Sequence, residues 1–510
     1  MDRRLVVATA LLLAGLQLSS TPRAGTPRLD ATLQARAAAP HGSSQVIIRP
    51  ATNLPIDDVV RRAGGTMLRS LGAGLAVASI PDGSLVRLAS DRRVASVSTD
   101  RPVTSAGAGR GALGRIIRAP QSLGVDGSGI GVATIDSGIS AEHETIATGR
   151  VVHWMDFVTH QDVPYDDYGH GTHVAGIIAA SDSGDGRGVA PGADLIVLKA
   201  LDGTGSGKVS DVIAAVDYAI ANRDRFNIRV INLSVAAGVY ESYHTDPLAQ
   251  AALRAVRAGI VVVAAAGNFG RSPDGEPQPG TIAAPGNAPW VLTVGASDDR
   301  ATPDPADDVV ASFSSRGPTA IDGLPKPDLI APGVGIEAAA DPASALFALR
   351  PRGRVWGDGH AGLPSLRLSG TSMAAPVVAG TVALIAQAAP GLTPNAIKAI
   401  LEFTAQPRAG EDDEAQGTGL LNIRGAIALA RQLSTQPVDW SSLEAATGGT
   451  RSWSHRIIWG AQRVTGDVLP RAIRAWDLDV PWGDDGRATG EAVTWAALCT
   501  PERLGCGGGH

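Results

Sequence analysis

Between about residues 119 and 434, continuous apolar runs alternate with stretches of helical spacing, and this alternation leaves the chain very few architectures. "GIGVATID" and "DLIVLKAL" are unbroken apolar runs, as strands buried on both faces require. "SDVIAAVDYAIANR" has helical spacing and leads into the strand-like "IRVINLS". "DPLAQAALRAVRAG", with Gly259 as its stop, leads into "IVVVAAAG". Repeated strand–helix units specify an α/β fold, a parallel β-sheet with helices on both faces and right-handed crossovers. In such a sheet the functional groups gather beyond the carboxyl ends of the strands.

The flanking segments have a different texture. With 510 residues there is room for one large domain plus extras. Arg3 and Arg4 precede an apolar run from Leu5 to Leu18 and then small and polar residues, so residues 1–24 are expected to be a signal peptide for export. Residues 26–43, rich in Ala, Pro, Arg and Ser, are expected to be disordered. Within 43–103, "QVIIRP", "LPIDDVVRRA", "TMLRSL", "GLAVASI", "GSLVRLAS" and "VASVST" read as βαββαβ, the order of a small ferredoxin-like α+β sandwich. Residues 104–118, Gly-, Ala- and Arg-rich, are expected to be an exposed, cleavable linker. From 435 to 510 helical spacing fades and six of the nine Trp appear, which suggests a small β-rich extension. Spaced Trp in an exported tail fit either a glycan- or cell-wall-binding face or core and interface residues. The two cysteines, Cys499 and Cys506, either pair or remain free thiols. A net charge of −6 gives no basic footprint, so nucleic acid is excluded as a partner.

Four polar residues stand where the sheet's crevice should be. Asp136 ends "GVATIDSG" at a strand's carboxyl end. His170 sits between two glycines in "YGHGTHVAGI", at the start of a small-residue helix, and His173 one turn later competes for the same role. Asn268 follows Gly267 at the end of "VVVAAAGN". Ser372, in "LSGTSMAAPVVAGTVALIAQ", opens an apolar helix, where unpaired N–H groups and the positive end of the dipole favour an oxyanion. Each signal has an ordinary structural explanation. Together they supply an acid, a base, an amide donor and a nucleophile, the set that serine acyl-transfer chemistry needs.

The blocks "ATIDSGI", "GHGTHVAGI", "VINLS", "AAAGN" and "GTSMAAP", with "FSSRGP" and "KPDLIAPGV", resemble the signatures of the subtilisin-like serine peptidases over roughly 119–434. Residues 45–103 resemble that family's inhibitory propeptide. The resemblance implies a secreted serine endopeptidase of polypeptides, expected as a monomer, made as a self-processed precursor and inhibited by its own propeptide. Asp136 would orient His170, His170 would be the general base, and His173 would be structural. Ser372 would attack the scissile carbonyl, and Asn268 with the Ser372 N–H would form the oxyanion hole. Ser234, Val235, Ala236, Ala237 and Gly267 would line the substrate cleft. The family usually has Leu-Gly-Gly where this chain has Val235-Ala236-Ala237, so a narrower rim is expected. The insert from Asp341 to Leu366, with Arg350, Arg352 and Arg354, is expected to be a solvated loop.

No cofactor is required for this chemistry. The resemblance also brings structural calcium as a candidate, with Asp182 and Asp185, the run Asp304–Asp308, and the run Glu411–Glu414 as the acidic loops. None has a complete oxygen-ligand spacing, so no metal ligands are named. A competing reading is a non-catalytic binding protein on an inactive peptidase fold, against which the complete set Asp136, His170, Asn268 and Ser372 argues. Esterase or peptide-ligase activity through the same acyl-enzyme is a further alternative.

Overall fold

A computed structural model describes residues 28–52, 55–106, 123–143, 146, 149–180, 188–300, 302, 307–356, 363–434, 440–447, 449–466, 469 and 474–482. The expected signal peptide, most of the expected linker, and both cysteines lie outside them.

The N-terminal unit begins earlier than its composition suggests. Residues 28–43 are ordered, not disordered, and contain the helix α1 (Ala31–Ala38). Its N-cap Asp30 accepts from the Leu33 N–H at 2.8 Å and from the Thr99 N–H, and Leu33 is fully buried. Two apolar anchors, Leu29 and Leu33, carry this docking, too few to register as a periodic pattern. There follow β1 (Ser43–Pro50), α2 (Asp57–Arg62), β2 (Thr66–Ser70), β3 (Ala76–Pro81), α3 (Leu85–Ser90) and β4 (Val94–Thr99). The sheet order β2-β3-β1-β4, antiparallel throughout, is the ferredoxin-like arrangement expected from βαββαβ. One face buries Val46 and Ile48 against Val59, Val60 and Leu85, while Ile47 on the other face joins the core of the large domain. The chain then continues as β5 (Pro102–Ser105), which belongs to no N-terminal sheet.

The large domain contains β6 (Gly131–Asp136), β7 (Val151–Asp156), α4 (His170–Ala179), β8 (Asp194–Lys199), β9 (Ser206–Lys208), α5 (Val209–Ala221), β10 (Ile228–Leu233), β11 (Val235–Ala237), α6 (Pro247–Arg257), β12 (Val261–Ala265), β13 (Leu292–Asp298), β14 (Val309–Val310) and β15 (Leu329–Pro332). Strands β13-β12-β10-β6-β8-β7 run parallel in that order, with β15 parallel to β13 and only β14 antiparallel at the margin. The unbroken apolar runs are the central strands, covered on both faces as their composition requires. Gly259 ends α6 with φ +84°, which an L side chain adopts only at a cost.

The insert departs from expectation. Its described residues are packed: they form α7 (Ala345–Leu349), β17 (Arg354–Val355) and the start of β18 (Ser365–Leu368), and the two strands join β16 (Ile336–Ala339), which precedes the insert, in the antiparallel sheet β16-β18-β17. Leu346 and Phe347 are buried, and the Ala345 and Leu346 N–H groups donate to Asp167 O and Tyr168 O, both at 2.9 Å. The insert thereby braces the loop that leads to His170.

Helix α8 (Thr371–Ala388) runs through the middle of the domain. It is the one described helix long and apolar enough to cross a membrane, and 89% of that stretch is buried inside the molecule. After α9 (Pro394–Thr404), α10 (Asp413–Gln416) and α11 (Ile423–Ser434), the extension supplies α12 (Trp440–Thr447) and the hairpin β19 (Arg456–Trp459) and β20 (Gln462–Thr465). It is mixed rather than mainly strand. Trp453, Trp459, Trp476 and Trp482 are all buried, so these four form core and not an exposed face.

The extension docks on a buried ionic group. Lys326 lies 2.7 Å from Asp328, and Lys398 lies 3.1 Å from Asp328 and 3.8 Å from Glu402. All four are buried. Glu402 accepts the Ile458 N–H of β19 at 2.7 Å, and Lys398 sits 4.8 Å from the centre of a Trp482 ring. Burial pushes Lys326 down to about 7, against the opposing pull of Asp328, and pushes Glu402 well above the usual carboxylate range. Shared hydrogen bonds, not exposure, keep such charges in place.

Candidate active site

The four residues singled out at strand ends and helix starts converge. Asp136 is the last residue of β6, and its Oδ1 lies 2.8 Å from His170 Nδ1 on the first residue of α4. Both side chains are buried. Asp136 is acceptor-only when ionised, so His170 Nδ1 carries the proton and Nε2 presents a lone pair. His170 Nε2 is buried and has no hydrogen-bond partner.

The glycines around the imidazole are required by close approach. Gly169 has φ +97°, and a Cβ there would lie 2.3 Å from Ser344 Oγ of the insert. A Cβ on Gly171 would lie 2.2 Å from Gly138 O. The first would push the start of α4 off the insert, and the second would push it away from the loop after Asp136. His173 plays no part in this contact. It is fully buried, with Nε2 toward Leu366 O at 2.9 Å and Ile336 O at 3.2 Å, and burial holds it down at about 4, hence neutral.

Ser372 is the second residue of α8, and its Oγ donates to Ser234 O at 2.9 Å. Turning about χ1 frees that hydroxyl for a base, a rearrangement that ligand-free and inhibited sites commonly need. Asn268 follows Gly267, whose φ of +107° lets the chain turn off the end of β12. Asn268 Oδ1 accepts from the Thr371 N–H at 2.9 Å and Thr371 Oγ at 3.0 Å, while the Gly267 N–H donates to Thr371 Oγ at 3.1 Å. These bonds fix which end of the amide is the donor and aim its NH₂ into the cleft.

What that NH₂ meets is this chain's own carbonyl. Asn268 Nδ2 donates to Ala106 O, and the Ala106 N–H donates to Ser234 O at 3.2 Å. The strand before it is β5, the middle strand of a three-stranded antiparallel sheet β11-β5-β9. Val235, Ala236 and Ala237 pair with Ser105, Thr104 and Val103. On the other side Pro102, Val103 and Thr104 pair with Lys208, Gly207 and Ser206. The Ser105 N–H also donates to Gly205 O at 3.0 Å, and Ser105 Oγ to the Tyr168 hydroxyl at 3.3 Å. An extended peptide thus lies across the cleft with both backbone edges satisfied, and its Ala106 carbonyl is directed at the Asn268 amide.

The structure brings together Asp136, His170, Asn268 and Ser372, which the sequence singles out by position, and the β11 rim, which the resemblance implies. Around them it adds residues that the sequence does not single out: Thr371, Asp166, Tyr168 and the β9 rim. The last two are set by a loop and a three-residue strand without periodicity. Thr371 and Asp166 stand inside motifs already noticed, but only the fold shows which amide and which N–H groups they meet.

The calcium candidates fare poorly. Asp182, Asp185 and Asp304 lie outside the described residues. Glu411 accepts the Val310 N–H, Asp412 caps α10, and Asp413 and Glu414 pair with Arg456 and Arg463. Carboxylates so engaged do not fit a cation. Among the described residues no group of three or more His, Cys, Asp or Glu could hold a metal ion.

Known proteins resemble this chain over the large domain. The model of the subtilase family matches residues 127–426. Serine protease AprX of Bacillus subtilis (strain 168) is 42% identical over 320 residues, covering 61% of this chain and 69% of that protein. Subtilisin E of the same organism is 36% identical over 314 residues, covering 61% and 69%. Fervidolysin from Fervidobacterium pennivorans, a keratinolytic enzyme related to subtilisin, matches in structure with a TM-score of 0.61 at 24% identity, over 79% of this chain and 62% of that one. This chain belongs to the subtilase family and is a serine endopeptidase.

Proposed function

We propose that the protein is an exported endopeptidase that cuts its own chain after Ala106 and is held inhibited by residues 28–106 until they leave. The observation that supports this reading is the position of Ala106, with its N–H on Ser234 and its carbonyl on the Asn268 amide. In the reaction, His170 Nε2 removes the proton from Ser372 Oγ as that oxygen attacks the carbonyl carbon held at the Ala106 position. Asp136 keeps the Nδ1–H tautomer and stabilises the imidazolium. Negative charge develops on the carbonyl oxygen, where the Asn268 Nδ2–H and the Ser372 N–H receive it. His170 then gives its proton to the leaving amine, and water hydrolyses the ester by the same steps. Polypeptide substrates follow β5 across the cleft, with the methyls of Ala236 and Ala237 narrowing its rim. Residues 1–24 direct export, and the extension serves packing.

The full-length Ser372→Ala protein, expressed alone, should remain an uncut precursor, whereas the parent protein should yield a chain beginning at Gly107 on N-terminal sequencing. Maturation of the variant by itself, or a parent chain beginning elsewhere, would overturn the self-processing assignment.

A further inference from the structure

The buried carboxylate of Asp166 makes more hydrogen bonds than any group in the reaction path, yet touches none of the reacting atoms. Its Oδ1 accepts from Ser137 Oγ at 2.8 Å and the Gly169 N–H at 2.6 Å, and its Oδ2 from the Thr172 N–H at 2.8 Å and Thr172 Oγ at 2.6 Å. Ser137 Oγ in turn accepts the Gly171 N–H at 2.9 Å, and the Ser137 N–H donates to Asp136 Oδ1 at 2.7 Å. The N–H groups of the residues before and after His170, Gly169 and Gly171, are therefore tied, through one carboxylate and one hydroxyl, to the residue beside Asp136.

We propose that Asp166, acting through Ser137, is a positioning residue that sets the Asp136–His170 contact. The geometry excludes simple helix capping, since a cap needs only the N–H groups of α4 and not a bond across to the turn after β6. It also excludes an ion pair: the nearby cation, Lys199, spends its Nζ on Asp167 Oδ1 at 2.7 Å and Ser137 O at 2.5 Å. Lys199 braces the same turn from β8, so Ser137 is held by its carbonyl, its N–H and its hydroxyl together. The titratable groups around Asp166 are Asp136 on β6, His170 and His173 on α4, Lys199 on β8, and Tyr165 and Asp167 on its own loop. Burial raises the Asp166 carboxyl, against the four bonds that lower it.

The test uses mature enzyme, with kcat and KM on a peptide substrate expressed per site titrated by a serine-directed phosphonate. Ser137→Ala leaves the bonds from Asp166 to α4 in place and cuts the link to the turn after β6 without changing charge. It should lower kcat ten- to a hundredfold, leave KM within about twofold, and move the acid limb of kcat/KM to lower pH, because an imidazolium less closely held by Asp136 loses its proton more easily. Asp166→Asn should show the same split with a larger loss. If Asp166→Asn does not fold, Ser137→Ala decides alone. A folded Ser137→Ala enzyme with kcat within twofold of the parent, or with an acid limb that stays where it was, would overturn the proposal.

Discussion

Replacing Lys398 by Met keeps most of the side-chain volume and removes the ammonium from the ionic group beneath the extension. Its Nζ lies 2.6 Å from Pro289 O, 3.0 Å from Val291 O, 3.1 Å from Asp328 Oδ1 and 3.8 Å from Glu402 Oε1. Two lysines there face two carboxylates, so the variant leaves one buried negative charge uncompensated. Breaking a buried pair from one side costs about 3–5 kcal/mol. The Pro289 carbonyl loses this donor, about 1 kcal/mol more, and the contact with Trp482 about another 1. Glu402, already raised by burial, recovers part of that by taking a proton. The net loss should be about 3–5 kcal/mol, a fall in Tm on the order of 10 °C for a domain of this size. Denaturant unfolding monitored by Trp fluorescence, in a Ser372→Ala background that cannot digest itself, measures it. Adding Glu402→Gln removes the surplus charge, so the double variant should lose at least about 1 kcal/mol less than the two single losses summed. A single variant within about 1 kcal/mol of its parent, or strict additivity, would refute the account.

Two further outcomes concern the cleft and the unit that covers it. Asn268→Ala should lower kcat about 10²–10³-fold with little change in KM, since the amide meets charge that exists only after attack; an equal rise in KM would point to ground-state binding instead. Retention of the cut N-terminal unit should weaken as pH rises. Glu241 at that interface is raised from 4.5 to about 7 by burial first and Asp246 second, with Ser98, Thr245 and Asp30 also facing it. A group raised in the docked form stabilises docking below 4.5 and stops doing so as pH climbs through about 7, so retention should fall by up to about 10²-fold between pH 5 and 8. Asp100, raised by burial against its Ser210 bonds, acts in the same direction, while Arg101 and Asp246 form the neighbouring buried pair. Glu241→Gln should flatten most of the dependence, as seen by size-exclusion of the processed complex; tighter retention at pH 8 than at pH 5 would contradict the sign.

The parts of this fold that were legible in the chain are those where a local rule and the tertiary structure ask for the same residue. Apolar runs such as "DLIVLKAL" must be buried strands wherever they fall, and Asp136, His170, Asn268 and Ser372 stand at ends that the sheet rule places together. The helix α1 was not legible because two leucines and one capping aspartate hold it in place. The insert read as solvated because three arginines stand close together, yet only Arg352 is exposed, Arg354 bonds the Phe347 carbonyl, and the N–H groups of Ala345 and Leu346 tie the insert to the loop before His170. Trp residues in the extension fitted core or interface as well as a binding face, and the packing against α9 and the ionic group beneath it decides for core at Trp453, Trp459, Trp476 and Trp482. No spacing in "YDDYGHGTH" distinguishes Asp166 from Asp167, yet one is buried and enclosed by hydrogen bonds while the other, partly exposed, pairs with the buried Lys199.

The strand β5 fills the cleft as part of the same chain, and this makes its hold indifferent to dilution. While Ala106 remains covalently joined to the catalytic domain, no lowering of protein concentration frees the cleft, because the local concentration of the strand is set by chain length alone. Cutting one bond changes the order of the process: identical contacts then belong to a separable peptide, and the occupied fraction drops as the solution is thinned. Before that cut the cleft stays blocked at any concentration; after it, spreading into a larger volume is enough to empty it.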